Sequence, residues 1–544
     1  MMRLLKPITF PSRIYPTRLC VAHYSKQTKA FVTTPIYYVN AVPHIGHLYS
    51  TVLTDTIGRY FALKGAKVLL STGTDEHGLK IQQASEKNKK LPLEFCNEVS
   101  ESFKKLVDAA NINYTSFERT TNKHHAEAVN ELWRILVEKG YIYKGKHEGW
   151  YAVSDEAFYA QNQVQEIVDE KTGEKIMVAI ESGQRVEWTE EENYKFMLSR
   201  FRDRLLSWIE KNPTVIVPNN RKNEVVSWLK AGLADLSVSR LRSRLDWGIP
   251  VPNDAEHTIY VWLDALVNYL TATGYPWKKD ATNKDAFPPD VQVVGKDIVR
   301  FHAIYWPAFL MAAGLPLPKQ ILAHAHWTMG KQKMSKSRGN VADPFQVLND
   351  YGVDTVRYYL VRDGGLADDG DYSEDMIKTR YKKDLAGQLG NLLNRATATS
   401  LLPSGCVPGN TTDHLDTRDK ELHEKISTVS ANFDKAFEER EFNRAYTYIF
   451  DMLAEANKHF SENEPWVLAK DDAQKARLDT VLFYSLEACR VAGILLQPVM
   501  PTKSNVLLDR LGVSSDKRMF EHATLSKEGE RPLGEASGVL FPRL

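Results

Sequence analysis

From Ala30 onward, short apolar runs alternate with stretches in which apolar residues recur every third or fourth position. Phe31 to Thr34 has the length and composition of a buried strand. After a proline-marked loop, Ile45, Leu48, Tyr49, Val52, Ile57, Tyr60 and Phe61 fall on one face of a helix, and "KVLLST" reads as the next strand. The same order returns late: "VQVVG" (291–295) as strand, Ile298 to Ala313 as helix, then "QILAHAHW" from Gln320 as strand. Strand–helix–strand repetition predicts an α/β fold, a Rossmann-type parallel sheet covered on both faces, with ligands at the carboxyl ends of its strands.

Between these halves, roughly Lys146 to Asp246, the pattern changes to aromatic alternation ("GWYAVSDEAFY"), a charged turn ("DEKTGEK") and one helical run. It reads as a connective subdomain inserted into the nucleotide-binding fold, a scaffold for a substrate's end. Past Asp384 the period is almost wholly helical, which predicts a separate all-α helical-bundle domain. Its helices are expected to end near Met500, before "PTKSNVLLDRLGV". The final "GVLFPRL" is too apolar to stand free and is expected to pack back on a core.

Composition narrows the picture only in places. Lysine plus arginine (70) balances aspartate plus glutamate (69), so contacts with nucleic acid must be local rather than set by an overall field. Cys20, Cys96, Cys406 and Cys489 lie far apart, which fits neither a zinc knuckle nor a secreted disulfide framework. Leu486 to Met500 is interrupted by Glu487, Arg490 and Gln497 and is too short to span a bilayer, so no membrane helix is expected. The first residues are different: Arg3, Lys6, Arg13, Arg18, Lys26 and Lys29 precede the first acid, Asp55. Basic, hydroxylated and acid-free is the profile of an organellar transit peptide, although Pro7, Pro11 and Pro16 interrupt a long amphipathic helix and a basic tail has the same charge.

Two stretches carry chemistry. "PHIGH" (43–47) opens a helix directly after the first strand: helix-start N–H groups favour an anion, Gly46 admits a ring or phosphate to the backbone, and His44 and His47 share a face. Taken singly, it equally fits a helix start with one buried histidine. "KQKMSKSRGN" (331–340) places mobile cations after a strand and ahead of a helix, where solubility alone would explain lysines. Together they say more: Lys333 and Lys336 can converge with His44 and His47 on one triphosphate, because both loops leave carboxyl ends of parallel strands.

These two signatures, in this order, resemble those of class I aminoacyl-tRNA synthetases. "TTPIYYVNAVPHIGH", "GTDEHG", "VWLDALVNYL", "VGKDIVRFHAIYWPA", "HWTMGKQKMSKSRGN", "LGNLLNR" and "ENEPWVLAK" narrow the resemblance to the methionyl-tRNA synthetase family, from about Phe31 to the C-terminus, and the basic leader is similar to that of its mitochondrial forms.

The resemblance implies ATP with Mg2+, L-methionine and methionine tRNA as ligands, and a mitochondrial matrix location. By position, Ile36, Tyr38, Trp262, Ala265, Tyr269, Ile298 and His302 line a methionine pocket, and Asp75 takes the ammonium group. Aromatic walls with a few polar tips suit a polarizable thioether. Singly, Trp262, Tyr269 and His302 also read as core residues, and Asp75 as a helix cap. Gly295 and Asp297 are assigned to ATP, the glycine allowing close approach and the carboxylate binding ribose hydroxyls. Asn391 and Arg395, four apart on one helix, with Trp466 as a stacking ring, are assigned to the anticodon; an exposed Asn–Arg pair and a core tryptophan is the plainer alternative.

The implied domains are a transit peptide at 1–28, the two catalytic halves at 29–145 and 247–328, the insertion at 146–246, the lysine loop and stem-contact region at 329–385, and the anticodon-binding domain at 386–544. Many relatives bind zinc through cysteines in the insertion; this chain has none between Lys146 and Asp246, so no zinc is expected, and Leu266 stands where some relatives have proline. A monomer is expected. A nucleotidyltransferase for a small substrate, or an inactive RNA-binding protein with the same fold, are the alternative functions.

Overall fold

The structure, a computed structural model, describes residues 28–544 apart from 154–156, 160, 170–172, 181, 279–282, 335–340, 411–414, 528 and 536–537. The expected transit peptide lies outside the described residues except for Thr28.

A seven-stranded parallel sheet organises the N-terminal part of the chain. Its strands are β1 (Lys29–Thr33), β2 (Tyr37–Tyr38), β3 (Lys67–Asp75), β4 (Ser116–Arg119), β5 (Ile216–Val217), β6 (Val291–Gly295) and β7 (Ile321–His324). Their spatial order is β5–β7–β6–β1–β3, with β2 and β4 both pairing with β3. β1 and β6 are buried at nearly every position, as expected for strands covered on both faces. The chain moves from β1 to β3 on one side and from β6 to β7 on the other, so the order reverses between β1 and β6. A crevice opens at such a reversal, outside the carboxyl ends of the strands.

Helix α1 (Ile45–Leu63) fills the layer beside β1 and β3; at Gly58 an added Cβ would press on Val32 at 3.3 Å and Val68 at 3.4 Å, so the glycine lets helix and sheet meet closely. The predicted helix from Ile298 is not uniform. A short turn at Lys296–Ile298 leads to a wide π-helical turn, Phe301–Tyr305, and only then to Trp306–Ala313. Pro307 is the reason: it has no N–H to donate backward, and the helix widens just ahead of it.

In the inserted stretch, Ile142–Ala152 and Glu187–Phe196 form a long antiparallel pair. Beyond it, β5 returns to pair with β7 at the sheet's edge. The C-terminal part packs Thr417–Glu438, Phe442–Glu462 and Lys475–Leu496 around one apolar core, and the last of these is buried over most of its length. Contrary to the sequence expectation, another helix, Pro501–Arg510, follows Met500. Proline fits the first turn of a helix, where no backbone donor is needed, so Pro501 opens this helix rather than closing the last. Leu540 and Phe541 are buried against the same core, which is where the apolar tail was expected to go. No helix among the described residues is long and apolar enough to cross a membrane.

Candidate active site

At the start of α1, His44 is the N-cap, and its Nδ1 accepts from Gly46 N–H at 3.1 Å. His47 Nδ1 accepts from His44 N–H at 3.1 Å, closing a reciprocal capping box made of two histidines. An imidazole nitrogen that accepts carries no proton, so each neutral ring holds its proton on Nε2. The cap thereby holds the two rings together at the helix start, with centroids 3.8 Å apart. A Cβ on Gly46 would sit 2.9 Å from His44 Cε1, so a larger residue there would displace the His44 ring from its cap. Tyr37 and Phe103 hold the His47 ring edge-on, at 5.2 and 5.1 Å.

Asp75 ends β3, 6% exposed, and the loop that follows is tied down on every side. Glu76 is fully buried, accepting from Arg119 Nε at 2.6 Å and Nη2 at 2.9 Å and from Thr74 and Thr121 at 2.7 and 2.5 Å. Trp247 Nε1 donates to the Glu76 carbonyl at 2.5 Å. His77 Nδ1 lies 2.6 Å from Asp264 Oδ2, and His125 Nε2 is 2.8 Å from Asp264 Oδ1. Burial opposes the charge on Asp264, but the two histidines outweigh it and hold its pKa below the ordinary carboxylate value. Asp264 belongs to Val261–Leu266, the short helix that also carries Trp262 and Ala265.

Trp262 stacks on Phe301 at 3.7 Å, with the ring planes nearly parallel at 7°. Tyr269 Oη and His302 Nε2 are 2.7 Å apart, and His302 Nδ1 is 2.9 Å from the Ile298 carbonyl. The carbonyl can only accept, so Nδ1 carries the proton and Nε2 accepts from the tyrosine. Burial lowers the His302 pKa to about 4 and raises that of Tyr269, which leaves both neutral. Tyr38, Trp262, Tyr269 and Ile298 belong to one apolar cluster, whereas Ile36 is half-buried and Ala265 is buried, both outside it.

Gly295 and His324 end β6 and β7, and Asp297 and His326 follow them. His326 Nε2 is 3.1 Å from Asp297 Oδ1. Ser50 Oγ on α1 meets His324 Nε2 at 2.7 Å, so the helix that begins at His44 is tied to the end of β7. From there Trp327–Met329 turns back through Gly330 and Lys331, both at positive φ (60° and 61°), into Gln332–Lys333. Positive φ at both turn positions is what a two-residue hairpin needs. Lys333 thus sits on the returning strand of this hairpin, while Lys336 lies outside the described residues.

In the helical part, the Arg395 guanidinium lies over the rings of Phe460 (4.6 Å) and Trp466 (5.6 Å). Trp466 is 42% exposed and Asn391 is exposed one turn before Arg395, so this tryptophan is not a core residue. Sequence reasoning missed Glu76, His77, His125, Asp264 and His326. Each pairs with a residue distant in sequence, His77 with Asp264 across 187 positions, and only "EHG" gave any sign. Among the described residues no group of three or more His, Cys, Asp or Glu is placed to hold a metal ion.

The family model for class I tRNA synthetases (M) matches residues 30–397, and that for the anticodon binding domain of methionyl tRNA ligase matches 407–530. The chain is 46% identical to a probable mitochondrial methionine–tRNA ligase of Neurospora crassa, covering 94% of this chain and 83% of that one. It is 44% identical to the mitochondrial methionine–tRNA ligase of Homo sapiens, over 95% and 91%. A solved Mycobacterium tuberculosis methionyl-tRNA synthetase, in complex with methionyl-adenylate, superposes with a TM-score of 0.89 at 39% identity, covering 95% of this chain and all (100%) of that one. With both family models matched in order and the parallel sheet followed by a helical domain, the chain belongs to the methionyl-tRNA synthetases of class I.

Proposed function

We propose that the chain activates L-methionine with ATP and transfers it to methionine tRNA, with the roles divided as follows. A methionine carboxylate oxygen attacks the α-phosphorus, the bond to the bridging oxygen breaks, and its electron pair leaves with pyrophosphate. The carboxylate is already an anion at neutral pH, so this step needs no general base. Catalysis is positioning plus electrostatics. His44 and His47 donate from Nε2 to phosphate oxygens, and Lys333 and Lys336 neutralise the departing pyrophosphate. Mg2+ enters with ATP, held by its phosphates, as part of the substrate. Gly295 and Asp297 receive the ribose.

Asp75 takes the substrate ammonium group. Ile36, Tyr38, Trp262, Ala265, Tyr269, Ile298 and His302 surround the side chain. The neutral Tyr269–His302 pair supports this reading, since it offers polarity to a thioether without charge. In the second step a ribose hydroxyl of the tRNA's terminal adenosine attacks the methionyl carbonyl, the ester forms, its proton is released and AMP leaves. Asn391, Arg395 and Trp466 read the anticodon.

We further propose the domain division given above, with β5 as the tie between the insertion and the sheet, and a monomer as the working unit. Several relatives are named as mitochondrial enzymes, and together with the basic leader this supports a mitochondrial location, specifically the matrix. The single observation that carries the catalytic reading is the histidine capping box, which fixes both imidazoles at the helix start through Nδ1.

Amino-acid-dependent exchange of pyrophosphate into ATP tests it. Exchange with methionine alone among the standard amino acids, lost about a hundredfold in His47→Ala, is the expected result. No exchange in folded protein would leave the RNA-binding alternative.

A further inference from the structure

β6 and β7 are neighbours, with Gly295 paired to His324, so the residues that follow their ends lie side by side on one flank of the crevice. Asp297 and His326 occupy that place, joined from Nε2 to Oδ1 at 3.1 Å. The histidine is anchored through its main chain: its N–H donates to Asp369 Oδ1 at 2.9 Å. Asp369 also takes Lys296 Nζ, at 2.7 and 2.9 Å, so the cation next to Asp297 in sequence is engaged elsewhere. Gly295 completes the arrangement. A Cβ there would lie 2.6 Å from Asp297 Oδ1 and push the carboxylate off its partner.

The consequence is a carboxylate held by one oxygen and presented by the other. Asp297 Oδ2 receives no hydrogen bond from another described residue, and the side chain is 64% exposed. An ionised carboxylate only accepts, so Nε2–H of His326 is the donor. An untethered aspartate at this exposure would spread over its rotamers and spend ordering free energy on each binding event.

We propose that His326 is a positioning residue for ATP: it fixes Asp297 so that the second carboxylate oxygen accepts from a ribose hydroxyl. This rests on the ribose assignment of Asp297. It adds a residue that acts through another and does not itself touch the nucleotide, since its Nε2 is committed to Asp297.

The test uses methionine-dependent pyrophosphate exchange with ATP, 2′-deoxy-ATP and 3′-deoxy-ATP, on the full chain and on His326→Ala, His326→Gln and Asp297→Ala. His326→Ala is expected to raise the KM for ATP about tenfold, with the methionine KM unchanged, and His326→Gln, whose amide also donates, to recover most of it. With the deoxynucleotide lacking the hydroxyl that Asp297 binds, His326→Ala and the parent should have the same KM. Equal losses on all three nucleotides, or a raised methionine KM, would overturn the proposal, because the histidine would then act on the phosphates or on the fold. If Asp297→Ala impairs ATP use while both His326 variants match the parent, the proposal fails and the ribose assignment stands. If Asp297→Ala changes nothing, the ribose assignment fails and the proposal with it. Should His326→Ala not fold, His326→Phe, which fills the space and cannot donate, takes its place with the same expected and overturning results.

Discussion

Arg357 Nη2 lies 2.6 Å from Asp55 Oδ2, and both side chains are sealed from solvent. Arg357 spends its remaining donors on the carbonyls of Val499 (3.0 Å), Pro498 (3.1 Å) and Ala110 (3.1 Å). One guanidinium thus ties α1, which begins with the capping histidines, to the C-terminal helices. Removing one partner of such a pair strands the other charge, at about 3–5 kcal/mol. Asp55 also holds Arg59 at 2.7 Å, so Arg357→Met should fall near the lower end, about 3 kcal/mol, read as a shift of the urea midpoint. Because much of that loss is the stranded carboxylate, adding Asp55→Asn should restore part of it. Additive losses in the double variant would refute the coupling.

Acid should weaken the protein through two buried imidazoles. Burial lowers the pKa of both His302 and His324 from 6.5 to about 4. The unfolded chain takes up these protons below 6.5 and the folded one only near 4. Stability is therefore complete above pH 6.5 and declines as pH falls towards 4, by about 3 kcal/mol for each histidine. Thermal melts of His324→Gln between pH 7 and 4.5 should show a shallower decline than the parent, whatever its stability at neutral pH. Parallel profiles would remove His324 from the account.

The elements that position the site were legible because their signals are local. β1, α1 and β3 follow from periodicity, and the reading of "PHIGH" as a helix start holds because His44 caps its own helix. Sheet order was not legible: β5 is a two-residue strand pairing with β7, and nothing in "IV" announces an edge. Pro501 misled because proline marks both a helix's end and its first turn, and only packing decides which. The partners of Glu76, Asp264 and Asp297 are set by tertiary fold, so the sequence offered each acid without its donor.

Asp264 links the helix carrying Trp262 and Ala265 to the loop that follows Asp75, through His77 on one oxygen, and to the helix Lys123–Glu138, through His125 on the other. Asp264→Asn keeps the shape but has one acceptor where two are needed. Its amide then opposes one of the histidines, and the loop and helix should lose register. The expected effect is on substrate placement: the methionine KM rises about tenfold or more, while the ATP KM changes little. Steady-state exchange kinetics separate the two, and a selective rise in the ATP KM would contradict this role.

The tRNA end of the reaction offers the last test. Trp466 presents a ring that is 42% exposed, with the Arg395 guanidinium over it at 5.6 Å. A half-exposed ring backed by a cation is a stacking surface for an unpaired base, worth about 1–3 kcal/mol by alanine substitution. The residues proposed for adenylate formation lie in a different part of the chain. Trp466→Ala should therefore raise the KM for tRNA about tenfold to a hundredfold and leave pyrophosphate exchange without tRNA as it was. Arg395→Lys keeps the charge but loses the planar face, and should fall between the parent and Trp466→Ala. Equal loss of exchange and charging in Trp466→Ala would mean that the ring supports the fold, and the anticodon assignment would have to move to other residues of the helical domain.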